Sequence, residues 1–180
     1  MSTSTLNSTQ QYVSKHYEYA RKAGERFRMD PLVILAQAAH ESAWGSSSLA
    51  KNQHNFFGIT AAGSPNEFWK GDVYQSGGKY KLKFRVYPSA QDSFYDFARL
   101  IASKYKTAHA VATNYKDYAT KISQSPYISE SNGDNRSVYK NAIISMYEKM
   151  APYAGKIISQ VITEPIAEVI KKKTLPSTSH

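Results

Sequence analysis

The chain has 180 residues, 41% apolar and 13% aromatic, with no cysteine and a formal net charge of +9. Its size suits one domain with a packed core, and the missing cysteines exclude disulfides, thiol catalysis and cysteine-based zinc sites. No run approaches the roughly 20 apolar residues of a membrane span, and the N-terminus, MSTSTLNSTQQYVSKHY, lacks the apolar centre of a secretion signal.

Met1–Thr9 is rich in Ser and Thr and is expected to fray, giving a flexible N-terminus over residues 1–10. Tyr12, Val13, His16, Tyr17, Ala20, Ala23 and Phe27 recur at helical spacing, which predicts an amphipathic helix from about Leu6 to Arg28. Asp30-Pro31 is a helix start: the carboxylate accepts orphan backbone N–H groups and proline suits the first helical position. From Leu32 to Ala39 the next helix is apolar nearly all round, so it should be central and buried. Gly45 is the expected stop, which puts Glu41 in the last turn.

Ser46–Lys51 reads as a short helix and Asn52–Gly58 as a turn and loop. Phe68–Gln75 and Lys79–Tyr87 read as two strands joined by Ser76-Gly77-Gly78. In the second strand Tyr80, Leu82, Phe84 and Val86 should form a dry face, and Lys79, Lys81, Lys83 and Arg85 a basic one. Ser89 caps the following helix, with Asp92 at capping-box spacing and Phe94, Phe97, Ala98, Leu100 and Ile101 facing the core. A helix over Tyr115–Ile122 and a loop over Ser123–Asn132 come next. Asp134 caps a last core helix carrying Val138, Ala142, Ile143, Met146 and Tyr147. An amphipathic appendage over Ile157–Ile170, interrupted at Pro165, and an unstructured tail fill residues 153–180. The class is α+β, mainly α, with one inserted β-hairpin and one domain over residues 11–152.

The candidate chemistry centres on Glu41. A carboxyl at a helix C-terminus meets the negative end of the dipole, and burial also disfavours its charge. Both effects keep its proton available, as a general acid requires; a surface glutamate at a helix end is the alternative. His40-Glu41 begins a His-Glu-x-x-His zinc motif, but the fifth residue is Trp44. No metal or other cofactor is therefore expected. Fourteen tyrosines outnumber seven phenylalanines; their flat faces and polar tips suit sugar stacking, and equally the edges of a core.

The segment QAAHESAWGSSSLAKNQHNFFGI resembles the signature of the family 73 glycoside hydrolases, bacterial β-N-acetylglucosaminidases that include flagellar peptidoglycan hydrolases and autolysins. Trp69-Lys70-Gly71-x-Val73, Phe84-Arg85-Val86-Tyr87 and Ser89-x-x-Asp92-Ser93-x-x-Asp96 are similar to its hairpin and following helix. The resemblance covers roughly Val13 to Met150. It implies a lysozyme-like fold and cleavage of the glycan strand after N-acetylglucosamine. Glu41 then matches the general acid, and Tyr127, in Ser125-Pro126-Tyr127, matches a tyrosine near the reacting sugar. Trp44, Asn55, Phe56, Phe57, Gly58, Trp69 and Tyr74 are the implied substrate-binding positions. Many members carry a glutamate where this chain has Gln75, which cannot act as a base. Another acid could serve, with Asp72 and Glu67 nearest. Alternatively the substrate's N-acetyl group could be the nucleophile, oriented by Gln75 or Tyr127, or the enzyme could be weak; substrate assistance is preferred.

A lytic transglycosylase is the near alternative, but that family follows its Glu-Ser with Gly-Leu-Met-Gln where this chain has Asn-Phe-Phe-Gly-Ile. A non-catalytic peptidoglycan-binding module is the alternative from another class. The basic excess favours polyanions, yet no nucleic-acid-binding pattern is present. The expected partner is peptidoglycan, met by a monomer. Without a signal, delivery would need a secretion machine, phage lysis or flagellar export. An antibacterial toxin would further imply an immunity protein that occludes the cleft.

Overall fold

The computed structural model of the chain describes residues 6–132 and 135–173. Helix α1 (Ser8–Phe27) begins at Asn7, whose side chain accepts from the Gln10 N–H at 2.9 Å while Gln10 reciprocates at the Asn7 N–H. It closes at Arg28 in a left-handed conformation, and Gly24 lets the Met29 carbonyl approach so near that a β-carbon would strike it. This tight corner delivers the chain to Asp30, which caps α2 (Pro31–Glu41) by accepting from the Leu32 N–H at 2.9 Å. As its composition requires, α2 is buried on every face from Leu32 to Ala39, packed between α1 and the last helix, α7 (Arg136–Lys173).

α2 stops at Glu41, short of the expected glycine. The Ser42 hydroxyl turns back to the Ala38 carbonyl, and Ala43, Trp44 and Gly45 all take positive φ (48°, 57° and 75°). Two non-glycine residues in that region are costly. The turn is held by Trp44 N–H donating to the Ala39 carbonyl at 2.8 Å, and Gly45 N–H to Ser42 Oγ at 2.8 Å. Ser47 then caps the short α3 (Ser48–Gln53).

The hairpin is shorter than predicted: β1 (Val73–Gln75) pairs antiparallel with β2 (Lys83–Arg85), Tyr74 facing Phe84. Lys79, Lys81 and Lys83 are exposed and Phe84 and Val86 half-buried, as expected, but three residues depart from the expected faces. Tyr80 is 77% exposed and Leu82 is exposed too, whereas Arg85, assigned to the wet face, is only 6% exposed. Arg85 is buried because Asp96, fully buried on α4 (Ala90–Lys104), waits for it at 2.7 Å. Ser89 caps α4 as predicted, accepting from the Asp92 N–H. A short α5 (Lys106–His109), absent from the sequence reading, precedes α6 (Tyr115–Gln124), capped by Asn114.

Over residues 136–157 of α7 the buried positions are Tyr139, Ile143, Met150 and Ala154; Val138, expected in the core, is 63% exposed. The helix continues through Pro152 and Pro165, so the expected interruption at Pro165 is not seen. The predicted cap at Asp134 lies outside the described residues, as do residues 1–5 and 174–180 of the predicted flexible ends. Helices dominate and the sheet has two strands, which is the α+β, mainly α class expected. No helix among the described residues is long and apolar enough to cross a membrane.

Candidate active site

Glu41, the last residue of α2, is half-buried on a cavity of about 370 Å³. The cavity lies between the helical body and the hairpin side. Phe57, Gly58, Thr60 and Arg85 form one wall; Tyr105, Tyr127 and Tyr139 form the other. Among its described lining residues Glu41 is the only carboxylate, accompanied by the cations Arg85 and Lys104.

The acid is held from behind. Tyr139 of α7 donates its hydroxyl proton to Glu41 Oε1 at 3.0 Å. The His40 ring packs edge-on against Tyr139 at 4.9 Å. Tyr127 stands beside them, its ring edge-on to Tyr105 at 5.3 Å and tilted against Tyr139 at 6.3 Å. Burial first, and the negative charge of Glu41 second, push the Tyr127 phenol well above its ordinary value. Burial, then Tyr127 and Glu41, do the same to Tyr139. Both phenols therefore remain proton donors across the physiological range.

The opposite wall is built by Asn55. Its amide donates to the carbonyls of Ile59 (3.0 Å) and Arg85 (2.9 Å), and its oxygen accepts from the Ile59 N–H at 3.1 Å. This pins the loop to β2. Phe57 stacks flat on Phe97 at 3.9 Å, and Gly58 turns the chain at a φ of 64°. Arg85 donates to the carbonyls of Thr60 (3.2 Å) and Ala62 (2.6 Å), while its guanidinium lies 4.2 Å over the Trp69 ring.

The structure thus brings Glu41, Tyr127, Phe57 and Gly58 to one cavity. Asn55, Phe56 and Trp69 are buried behind its wall as scaffold: Phe56 packs against His16 and Phe94, and Trp69 donates its indole N–H to the Asp72 carbonyl. Trp44 packs edge-on against Tyr12 under the Lys149 ammonium, and it does not line the cavity. Gln75 and Tyr74 lie exposed on β1, also outside it. Neither nearby acid reaches the cavity: Asp72 is exposed, and Glu67 is gripped by both terminal nitrogens of Arg26 at 2.9 and 2.6 Å. Tyr139, Tyr105, Arg85 and Lys104 were missed by the sequence reading. A signal for Tyr139 existed: residues 139, 143, 146 and 150 keep helical spacing better than a stripe that starts at 138. No group of three or more His, Asp or Glu among the described residues is placed to hold a metal ion.

Residues 17–152 match the profile of a family described as Glucosaminidase, mannosyl-glycoprotein endo-beta-N-acetylglucosaminidase. The chain belongs to this glucosaminidase family. The chain is 29% identical over 152 residues to the peptidoglycan hydrolase FlgJ of Salmonella typhimurium, covering 77% of this chain and 45% of that protein. It is 29% identical over 138 residues to the exo-glucosaminidase LytG of Bacillus subtilis, covering 71% and 49%. It thus spans about half the length of these curated relatives. A solved glycoside hydrolase domain of Salmonella typhimurium FlgJ, C-terminally truncated, superposes with a TM-score of 0.62 at 26% identity, covering 80% of this chain and 98% of the other. A type VI secretion system effector–immunity complex from Pseudomonas protegens shares the fold with a TM-score of 0.55 at 22% identity, covering 80% and 94%.

Proposed function

We propose that this glucosaminidase cleaves the glycan strand of peptidoglycan after N-acetylglucosamine, with Glu41 as the general acid. The observation that carries the reading is the setting of Glu41: one half-buried carboxylate, hydrogen-bonded from Tyr139, in a cavity whose described lining holds no second acid. A two-carboxylate mechanism needs a partner across the cleft, and Gln75, Asp72 and Glu67 all lie outside it. The geometry therefore favours substrate assistance. The acetamido oxygen of the sugar attacks its own anomeric carbon as Glu41 gives its proton to the leaving glycosidic oxygen. The resulting oxazolinium ring is opened by water, which returns a proton to Glu41. In this reading Tyr127, which lines the same cavity, donates to the acetamido group and holds it for attack.

Peptidoglycan is in keeping with the names of the relatives, a peptidoglycan hydrolase and an exo-glucosaminidase. In the biological reading, a monomer acts at the wall or in the periplasm after delivery from the cytoplasm. An immunity protein that plugs the cleft would be its partner if it serves as a toxin.

Glu41→Gln should lower the release of soluble muropeptides by about 10³-fold, while Gln75→Ala should leave it near the original rate. Mass spectrometry of the products should show reducing N-acetylglucosamine ends; anhydro-muramic ends would identify a lytic transglycosylase. A Glu41→Gln chain that still digests peptidoglycan would end the proposal.

A further inference from the structure

Gln37 is an amide inside an otherwise apolar helix, fully buried and one turn before Glu41. Its Oε1 accepts from the hydroxyl of Tyr118, and its Nε2 donates to the hydroxyl of Tyr139 at 3.0 Å. Tyr139 donates in turn to Glu41 Oε1 at 3.0 Å. Tyr118 is fully buried on α6 and Tyr139 nearly so on α7. The chain therefore runs through three helices, from the centre of the core to the acid.

A phenol has one proton to donate, and an amide has a donor end and an acceptor end. Tyr139 touches two groups able to take its proton, the Gln37 amide and the Glu41 carboxylate. If Gln37 turned its oxygen toward Tyr139, that proton would be drawn away from Glu41. Tyr118 prevents this. With the amide reversed, the Tyr118 proton would have no acceptor among the described residues, and an orphaned buried donor costs about 1–3 kcal/mol. In the observed arrangement each hydroxyl and the Gln37 amide is satisfied, and all donated protons point toward Glu41.

We propose that Tyr118 and Gln37 are positioning residues that fix the direction of this hydrogen-bond chain, so that Tyr139 always donates to Oε1 of Glu41. The proposal rests on the reading of Glu41 as the general acid. The wiring itself is open to a test that does not depend on activity.

The test is an infrared titration of the Glu41 carboxyl in ¹³C-glutamate-labelled full-length protein, identified by difference from Glu41→Gln and set beside the pH profile of kcat/KM. A hydrogen bond donated to the charged form favours it. Tyr139→Phe should therefore move the Glu41 titration to higher pH. Tyr118→Phe should do the same, although its hydroxyl is three hydrogen bonds away along the chain, because the amide is then free to reverse. Gln37→Met should titrate like the original protein, since Tyr139 is left with Glu41 as its acceptor. The double change Gln37→Met with Tyr118→Phe should cancel the shift of Tyr118→Phe. A Tyr118→Phe chain that titrates like the original overturns the proposal, and so does a double variant that keeps the shift. If Tyr118→Phe fails to fold, Gln37→Met still decides, because a shift as large as that of Tyr139→Phe would refute the wiring. Should Glu41→Gln prove active, the catalytic reading fails while the titration still reports the chain. Should it prove dead with Tyr118→Phe unshifted, the chain alone fails.

Discussion

His16 carries a cost that the fold tolerates only when the ring is neutral. It is buried on α1 among Tyr12, Tyr19 and Phe56, and its Nδ1 has no hydrogen-bond partner among the described residues. Burial first, and the neighbouring charge of Lys15 second, push its pKa down to about 4. In the unfolded chain the same ring would take a proton near pH 6.5. Between those values the unfolded chain binds more protons than the folded one, so stability falls as the pH drops from about 6.5 to about 4. The full window is worth up to about 3 kcal/mol. Urea unfolding across it should show that loss, and His16→Phe should flatten the curve over the same range.

At the scale of elements, the hairpin is tied to the helical body through Asp96. That carboxylate accepts from Arg85 (2.7 Å), Tyr87 (2.5 Å), Arg99 (2.9 Å) and Asn66 (2.9 Å). Burial works to raise its pKa, but the donors from Tyr87, Arg99 and Arg85 outweigh it and hold the group below the usual carboxylate range. Its contribution is therefore complete above the unfolded value and disappears as pH falls through the lower, folded one. Asp96→Asn should cost about 3 kcal/mol or more, since it leaves a buried guanidinium without its charge partner; chemical denaturation at neutral pH reads this directly. The same element shows what a sequence can disclose. Caps such as Asp30 and Ser89 were legible because their partners lie two or three residues away. The buried helix and its terminal acid were legible from composition alone. The faces of the hairpin were legible only in part, because alternation favours Tyr80 and Leu82, while the burial of Arg85 is decided by Asp96 on another element. The burial of Tyr139 had a local signal in the helical spacing of residues 139, 143, 146 and 150, but its bond to Glu41 did not, because the two are about a hundred residues apart in the chain. Tyr127 could be placed only through the resemblance, since nothing local marks a loop tyrosine as belonging beside Glu41.

For the molecule as a whole, the net charge of +9 would, in the proposed role, meet a polyanionic wall. Digestion of intact sacculi should slow as ionic strength rises, more than cleavage of a neutral N-acetylglucosamine oligomer does, because screening weakens attraction to the former alone; paired rate measurements over a salt series would check it. The cavity is assembled from α2, α7, the Asn55–Gly58 loop and β2, so its shape depends on the complete domain. Two separate bonding systems hold its sides: Tyr118, Gln37 and Tyr139 secure the acid, while Asn66, Asp96, Arg99, Arg85 and Tyr87 secure the hairpin. No residue belongs to both. The span from Ser76 to Leu82 lies beyond either system, with Tyr80 and Leu82 in open solvent. Descendants of such a chain are free to lengthen, shorten or exchange that tip without disturbing either set of bonds, and so without retuning the carboxyl at the end of α2.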